Sequence, residues 1–263
     1  MQKLKYLLKA ELYKHKSLGF IRFYCIIMLI VGVGSALPYL LDTDTTTLDW
    51  FLIYNNLLAN PITINLIITG MAAMYHIKDI NDKSIHHVIT SGYTKGQAIL
   101  SRIISISIIS SFAYLLYIFA GVISTLPFIS MSIKADYGVS IACYIFVTFF
   151  LKVLFIIALN VICMTFAYLV RSAAAFFIVV FTLWISALNG LYNLERVQSS
   201  WIYKGMLQIF ITLQDYLMFM DRIGREQFEI TLKPTSVYLV VVVLTIIVFH
   251  KLTCLILNKI EIK

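Results

Sequence analysis

Of 263 residues, 60% are hydrophobic and only 13% charged, and the mean hydropathy is +0.89. A soluble domain of this size lacks the interior to hide so much apolar side chain, so composition excludes a water-soluble globular protein and points to a polytopic membrane protein. The formal net charge of +8 is spread over the flanks of apolar runs and not gathered on one domain, which argues against nucleic acid as a partner.

Residues 1–18 predict an interfacial segment whose helix covers 3–16. Leu4, Leu7, Leu8 and Leu12 share one face, with Lys5, Lys9 and Lys16 to one side of it, the pattern of a basic amphipathic helix in the membrane surface. No small-residue cleavage site follows, so the expectation is a retained anchor and not a signal peptide. Glu11 falls on the apolar face. Two readings stay open: a partner for a basic group of the inner loop or of another protein, or a position near the edge of the face.

A bilayer crossing needs about 20 apolar residues. Six spans are predicted, at 20–41, 50–77, 103–129, 139–170, 172–194 and 235–257, giving an all-α polytopic membrane protein with one transmembrane domain over 1–263. Arg171 is nearly all that separates spans four and five. With the N-terminus inside, inner segments hold fourteen Lys and Arg residues and outer segments six, and Asp42, Asp44 and Asp49 lie outside. Both termini are therefore expected in the cytoplasm and the chain in the cell membrane. Residues 195–233 form the outer connection. Its stretch 200–220 is apolar but interrupted by Lys204, Gln208, Gln214 and Asp215, so it reads as a re-entrant or interfacial hairpin and not a seventh span. Trp201, Tyr203 and Phe210 there read as an interfacial aromatic belt, or as a grip on an amphipathic peptide.

The inner loop 79–102, DINDKSIHHVITSGYTKGQAILSR, carries most of the internal loop charge. Asp79 and Asp82 read as helix-start residues, Ser91-Gly92-Tyr93 as a break, and Lys95 to Arg102 as a second helix entering span three. His86 and His87 lack carboxylate or cysteine partners at ligand spacing, so no metal site is expected. Cys25, Cys143, Cys163 and Cys254 lie in or beside apolar runs without a CxxC pair and read as buried, inert thiols.

Inside the membrane, Asn56, Asn60 and Thr63 share a face of span two, beside Pro61, which predicts a kink. They line either a translocation path or dimer interface, or an interhelical contact. Lys152 either snorkels to the outer interface or faces a cavity that takes an anionic group. Asn160 and Asn189 are weaker candidates of the same kind.

Three features together resemble the permease subunit of a type-2 ABC exporter: the N-terminal KAELYKHKS, the loop KSIHHVITSGYTKGQAILSRI, and the six-span layout with an amphipathic outer stretch. Within that class the short form is similar to bacterial subunits for antimicrobial-peptide immunity, of lantibiotic and bacitracin type. The loop departs from commoner members at His86-His87. The resemblance implies a cytoplasmic coupling helix, with Asp82, Lys83, Ser84, His86, His87, Gly92, Tyr93 and Lys95 docking a separate ABC ATPase and Glu11 and Lys14 on the interfacial helix. It also implies a second permease, as homodimer or sister chain, contacts with membrane lipids, and a peptide or other amphipathic substrate. The chain has no GxxxxGK[ST] phosphate loop, so no catalysis and no bound cofactor are expected of it, and ATP and Mg belong on the partner. The competing classes are an intramembrane enzyme acting on lipid or peptide, and a stand-alone secondary transporter. The first wants paired acidic residues or His-rich motifs near one membrane face and the second wants carboxylates within the spans, which contain no Asp or Glu.

Overall fold

A computed structural model describes residues 2–17, 19–42, 49–59, 61–129, 140–172 and 232–259. Its elements, among the described residues, are helices α1 (Gln2–Ser17), α2 (Gly19–Asp42), α3 (Trp50–Ala59), α4 (Pro61–Asn81), α5 (Ser84–Thr90), α6 (Lys95–Thr125), α7 (Ile141–Val170) and α8 (Leu232–Lys259). Four of them, α2, α6, α7 and α8, hold stretches long and apolar enough to cross a membrane. Predicted span two is two helices, α3 and α4. Pro61 opens α4, where its missing N–H costs nothing. Predicted span five and the outer hairpin 195–233 lie outside the described residues.

The helices meet in one apolar core. Met28, Ile53, Leu57, Met71, Tyr75, Ile106, Tyr114, Phe155, Leu159 and Val242 bring α2, α3, α4, α6, α7 and α8 into it. The outward faces are equally apolar. On α2, Phe23, Ile26, Ile30, Val33 and Leu37 are exposed at three- and four-residue spacing, and Ile108, Phe112, Leu115, Phe119 and Ile123 do the same on α6. Such stripes are stable against lipid and unstable in water. The fold is thus all-helical with transmembrane character.

One end of the bundle gathers the connection between α4 and α6, and is here termed the loop end. Tyr168 of α7 reaches Asp79 of α4 there. The Lys95 ammonium donates to the Leu257 carbonyl at 3.3 Å and to Asn258 Oδ1 at 3.1 Å, which places the C-terminal turns of α8 at the same end. Thr165 of α7 shares a 2.7 Å hydroxyl contact with Thr253 of α8. Helices α7 and α8 therefore run parallel, both finishing at the loop end.

Local chemistry explains the boundaries there. Lys83 adopts φ 50 after α4, a left-handed residue that stops a helix, and Arg171 does the same after α7 at φ 53. Gly92, at φ 85, turns the chain between α5 and α6 in a conformation that glycine takes without strain. Helix α6 begins at Lys95 because Thr94 caps it: the Thr94 hydroxyl accepts the Gln97 N–H and the Gln97 side chain accepts the Thr94 N–H, both at 3.2 Å. The acidic residues read as helix starters do something else. Asp79 belongs to the last turn of α4, Asp82 is exposed, and α5 starts after Lys83 without a side-chain cap.

Candidate functional site

The face of α1 that packs on the bundle carries Leu7, Glu11 and His15, spaced by four residues and all buried. Two of the three are polar, so they need partners, and the loop end supplies them. Arg102, fully buried on α6, donates from Nε and Nη2 to the Asp79 carboxylate, the Nη2 contact with Oδ1 being 3.2 Å. Its Nη2 lies 3.7 Å from Glu11 Oε1. The Tyr75 hydroxyl donates to Glu11 Oε2 at 2.6 Å. Lys14 donates to Asp79 Oδ1 at 2.9 Å and to Ser84 Oγ at 3.1 Å. Ser84, the first residue of α5, donates to Asp79, and Tyr168 donates to Asp79 Oδ2 at 3.3 Å.

Two carboxylates and two cations thus close into a neutral cluster joining α1, α4, α5, α6 and α7. Burial by itself would raise the Asp79 carboxyl. The charge and hydrogen bonds of Arg102, with help from Lys14 and Ser84, outweigh it and hold Asp79 well below the usual carboxylate range. That stabilisation is present above the ordinary value of 3.8 and is lost as pH falls through the lower folded value. His15 goes the other way from a basic group in solution: burial first, and then the Lys14 charge, push it down to about 4, so it is neutral near pH 7. Its Nε2 pairs with Ser105 Oγ at 3.1 Å and its ring lies 4.3 Å from the ring of Tyr75.

Above this cluster sits the loop helix. Ile85 anchors α5 in an apolar patch with Ala98, Ile99, Ile103, Met164, Tyr168 and Leu257. Asp82, Lys83, His87 and Gly92 are exposed, while Ser84, His86, Tyr93 and Lys95 are half-buried. Of the residues singled out in the sequence, Glu11, Lys14, Ser84 and Lys95 therefore enter the buried or inter-helix contacts. Asp82, Lys83, His87 and Gly92 stand on the outer side.

The other candidates are dispersed. Asn160 donates to Ser107 at 3.2 Å and to Ser110 at 3.3 Å across the α6–α7 contact. Lys152 is fully buried, so it does not snorkel outward. Asn56 and Thr63 belong to α3 and α4, but their side chains are not among those described. Asn60, Asn189, Trp201, Tyr203 and Phe210 lie outside the described residues.

Sequence reasoning missed Asp79, Arg102, Tyr75, His15 and Tyr168 as members of one cluster. The signal for it was Glu11 on an apolar face together with charges bounding the inner loop. Among the described residues no group of three or more His, Cys, Asp or Glu could hold a metal ion. What the cluster can do is join five helices rigidly at one point. No protein-family model matches the chain, and no curated protein matches it either.

Proposed function

We propose that the chain is the membrane-spanning permease subunit of an ATP-driven exporter of the type-2 ABC class. It would expel an amphipathic substrate, such as an antimicrobial peptide, across a bacterial cell membrane. The observation that carries this reading is the position of α5: an exposed outer side above a buried ion cluster that grips α1, α4, α6 and α7. A push on α5 from a soluble partner is passed to those helices through Asp79 and Arg102, and Lys95 extends it to α8. A short helix so mounted suits a coupling element that biases a two-state bundle.

On this reading ATP and Mg would bind a partner ATPase, since the sequence has no phosphate loop of the GxxxxGK[ST] kind. Two permeases, identical or sister chains, would complete the pathway. The parallel course of α7 and α8 fits a reading with one span between them, six in all and both termini in the cytoplasm. The sequence resemblance supplies the family, and the loop-end geometry supports it.

Purification in mild detergent followed by mass spectrometry tests the proposal. An ATPase is expected in near-equal amount, and Lys83→Glu with His87→Glu is expected to release it while leaving thermal unfolding unchanged. A chain that purifies alone even after crosslinking overturns the reading.

A further inference from the structure

Lys152 presents a second, separate problem of charge. It is the twelfth residue of the 30-residue α7, near the middle of a span, and its side chain is entirely buried. Among the described residues no carboxylate pairs with it. Among the described residues its hydrogen-bond contact is Asn65 Oδ1 at 3.4 Å. Its ammonium otherwise lies 5.6 Å from the ring centre of Tyr114 and 5.1 Å from that of Phe155. Aromatic faces attract a cation but do not neutralise it.

Two further donors belong to the residues that contact it. Asn65 Nδ2 and the Tyr114 hydroxyl are both buried, and neither has a hydrogen-bond partner among the described residues. Both residues are fully buried. Asn65 opens the second turn of α4, so the positive end of that helix's dipole lies about 6 Å along the axis. A cation, two donors without partners among the described residues and the first turns of α4 therefore lie close together in the interior of the bundle. An anion would satisfy every one of these groups, and no acidic side chain among the described residues does so. Broken helices whose N-terminal ends face an anionic group are a recurring way to hold charge at this depth.

We infer that Lys152, Asn65 and Tyr114 form a binding site for the acidic group of an amphiphile, a carboxylate or phosphate borne on an apolar chain. The apolar chain follows from the surroundings: Phe155, Ile156 and Leu151 line α7 beside the ammonium. In this structure the site is closed, so entry requires α4 and α7 to part. The inference rests on this geometry alone and stands whether or not an ATPase drives the protein.

The test is thermal unfolding of the full chain in maltoside micelles with oleate, phosphatidylglycerol or phosphatidylcholine added. Either acidic amphiphile is expected to raise the wild-type midpoint, by about 5 °C near saturation, and phosphatidylcholine is not. A response to oleate alone assigns a free carboxylate, and a response to phosphatidylglycerol alone assigns a phosphodiester headgroup. Lys152→Met is expected to unfold no lower than wild type without lipid and to lose the rise. Asn65→Asp, which supplies an internal counter-charge, is expected to lose it too. Failure of wild type to respond, an equal response to phosphatidylcholine, or a full response in either variant overturns the assignment.

Discussion

At the scale of single residues, Asp79 is the centre of the loop end, because it accepts from Arg102, Lys14, Ser84 and Tyr168 at once. Its value is conditional. A buried ion pair repays its desolvation only while every partner is present, whereas removing one leaves an uncompensated buried charge. Asp79→Asn is therefore expected to destabilise the protein by roughly 3–5 kcal/mol, with Arg102 left only the longer approach to Glu11 as a counter-charge. Arg102→Met in the Asp79→Asn background is expected to recover part of that loss. A double-mutant cycle of thermal unfolding checks it, and strictly additive losses would show that the two do not act as a pair. Glu11 was conspicuous in the sequence as a charge on an apolar face. Asp79 and Arg102 were visible only as the ends of a charged loop. That they meet depends on α4 and α6 lying side by side, which no local pattern encodes.

Among the elements, α2 and α6 come close enough for backbone to meet backbone. A Cβ on Gly32 would strike the Tyr117 carbonyl oxygen and come within 3.2 Å of the Ala120 Cβ, and one on Gly121 would come within 3.0 Å of the Gly32 oxygen. Small residues permit this because helices in lipid associate through backbone proximity and packing, not through a hydrophobic drive. Gly32→Val is expected to force the helices apart at a cost of about 1–3 kcal/mol, read as a lower unfolding midpoint in detergent, while Gly34→Val, which meets no neighbour, is expected to change little. The long apolar runs made α2, α6, α7 and α8 legible as helices, since twenty-odd apolar residues have few other folds in lipid. The start of α6 was legible too: Lys95 to Arg102 reads as a helix entering span three, and α6 begins at Lys95 behind its Thr94 cap. Span two read as one kinked helix, and Pro61 instead opens a new one. Helix α5, with seven residues, is too short to persist alone and owes its form to Ile85 and Ser84 below it.

For the whole molecule, the arrangement that matters is which ends meet. Helix α1, the α4–α6 connection and the C-terminal turns of α7 and α8 share one end. Tags placed before Met1 and after Lys263 are expected to be shielded together from protease added outside intact cells. Cleavage of one but not the other would contradict the shared end. The amino-acid sequence by itself determined that this chain is helical, that its apolar runs are long enough to cross a membrane, and roughly where they lie. Those properties follow from transfer free energies that each stretch carries with it. Only the tertiary structure decided that Glu11, Lys14, Asp79 and Arg102 neutralise one another, and that Lys152 is buried with Asn65 and Tyr114 instead of reaching the surface. Charge is settled by neighbours within a few ångströms, and in this fold those neighbours come from helices tens of residues apart in the chain.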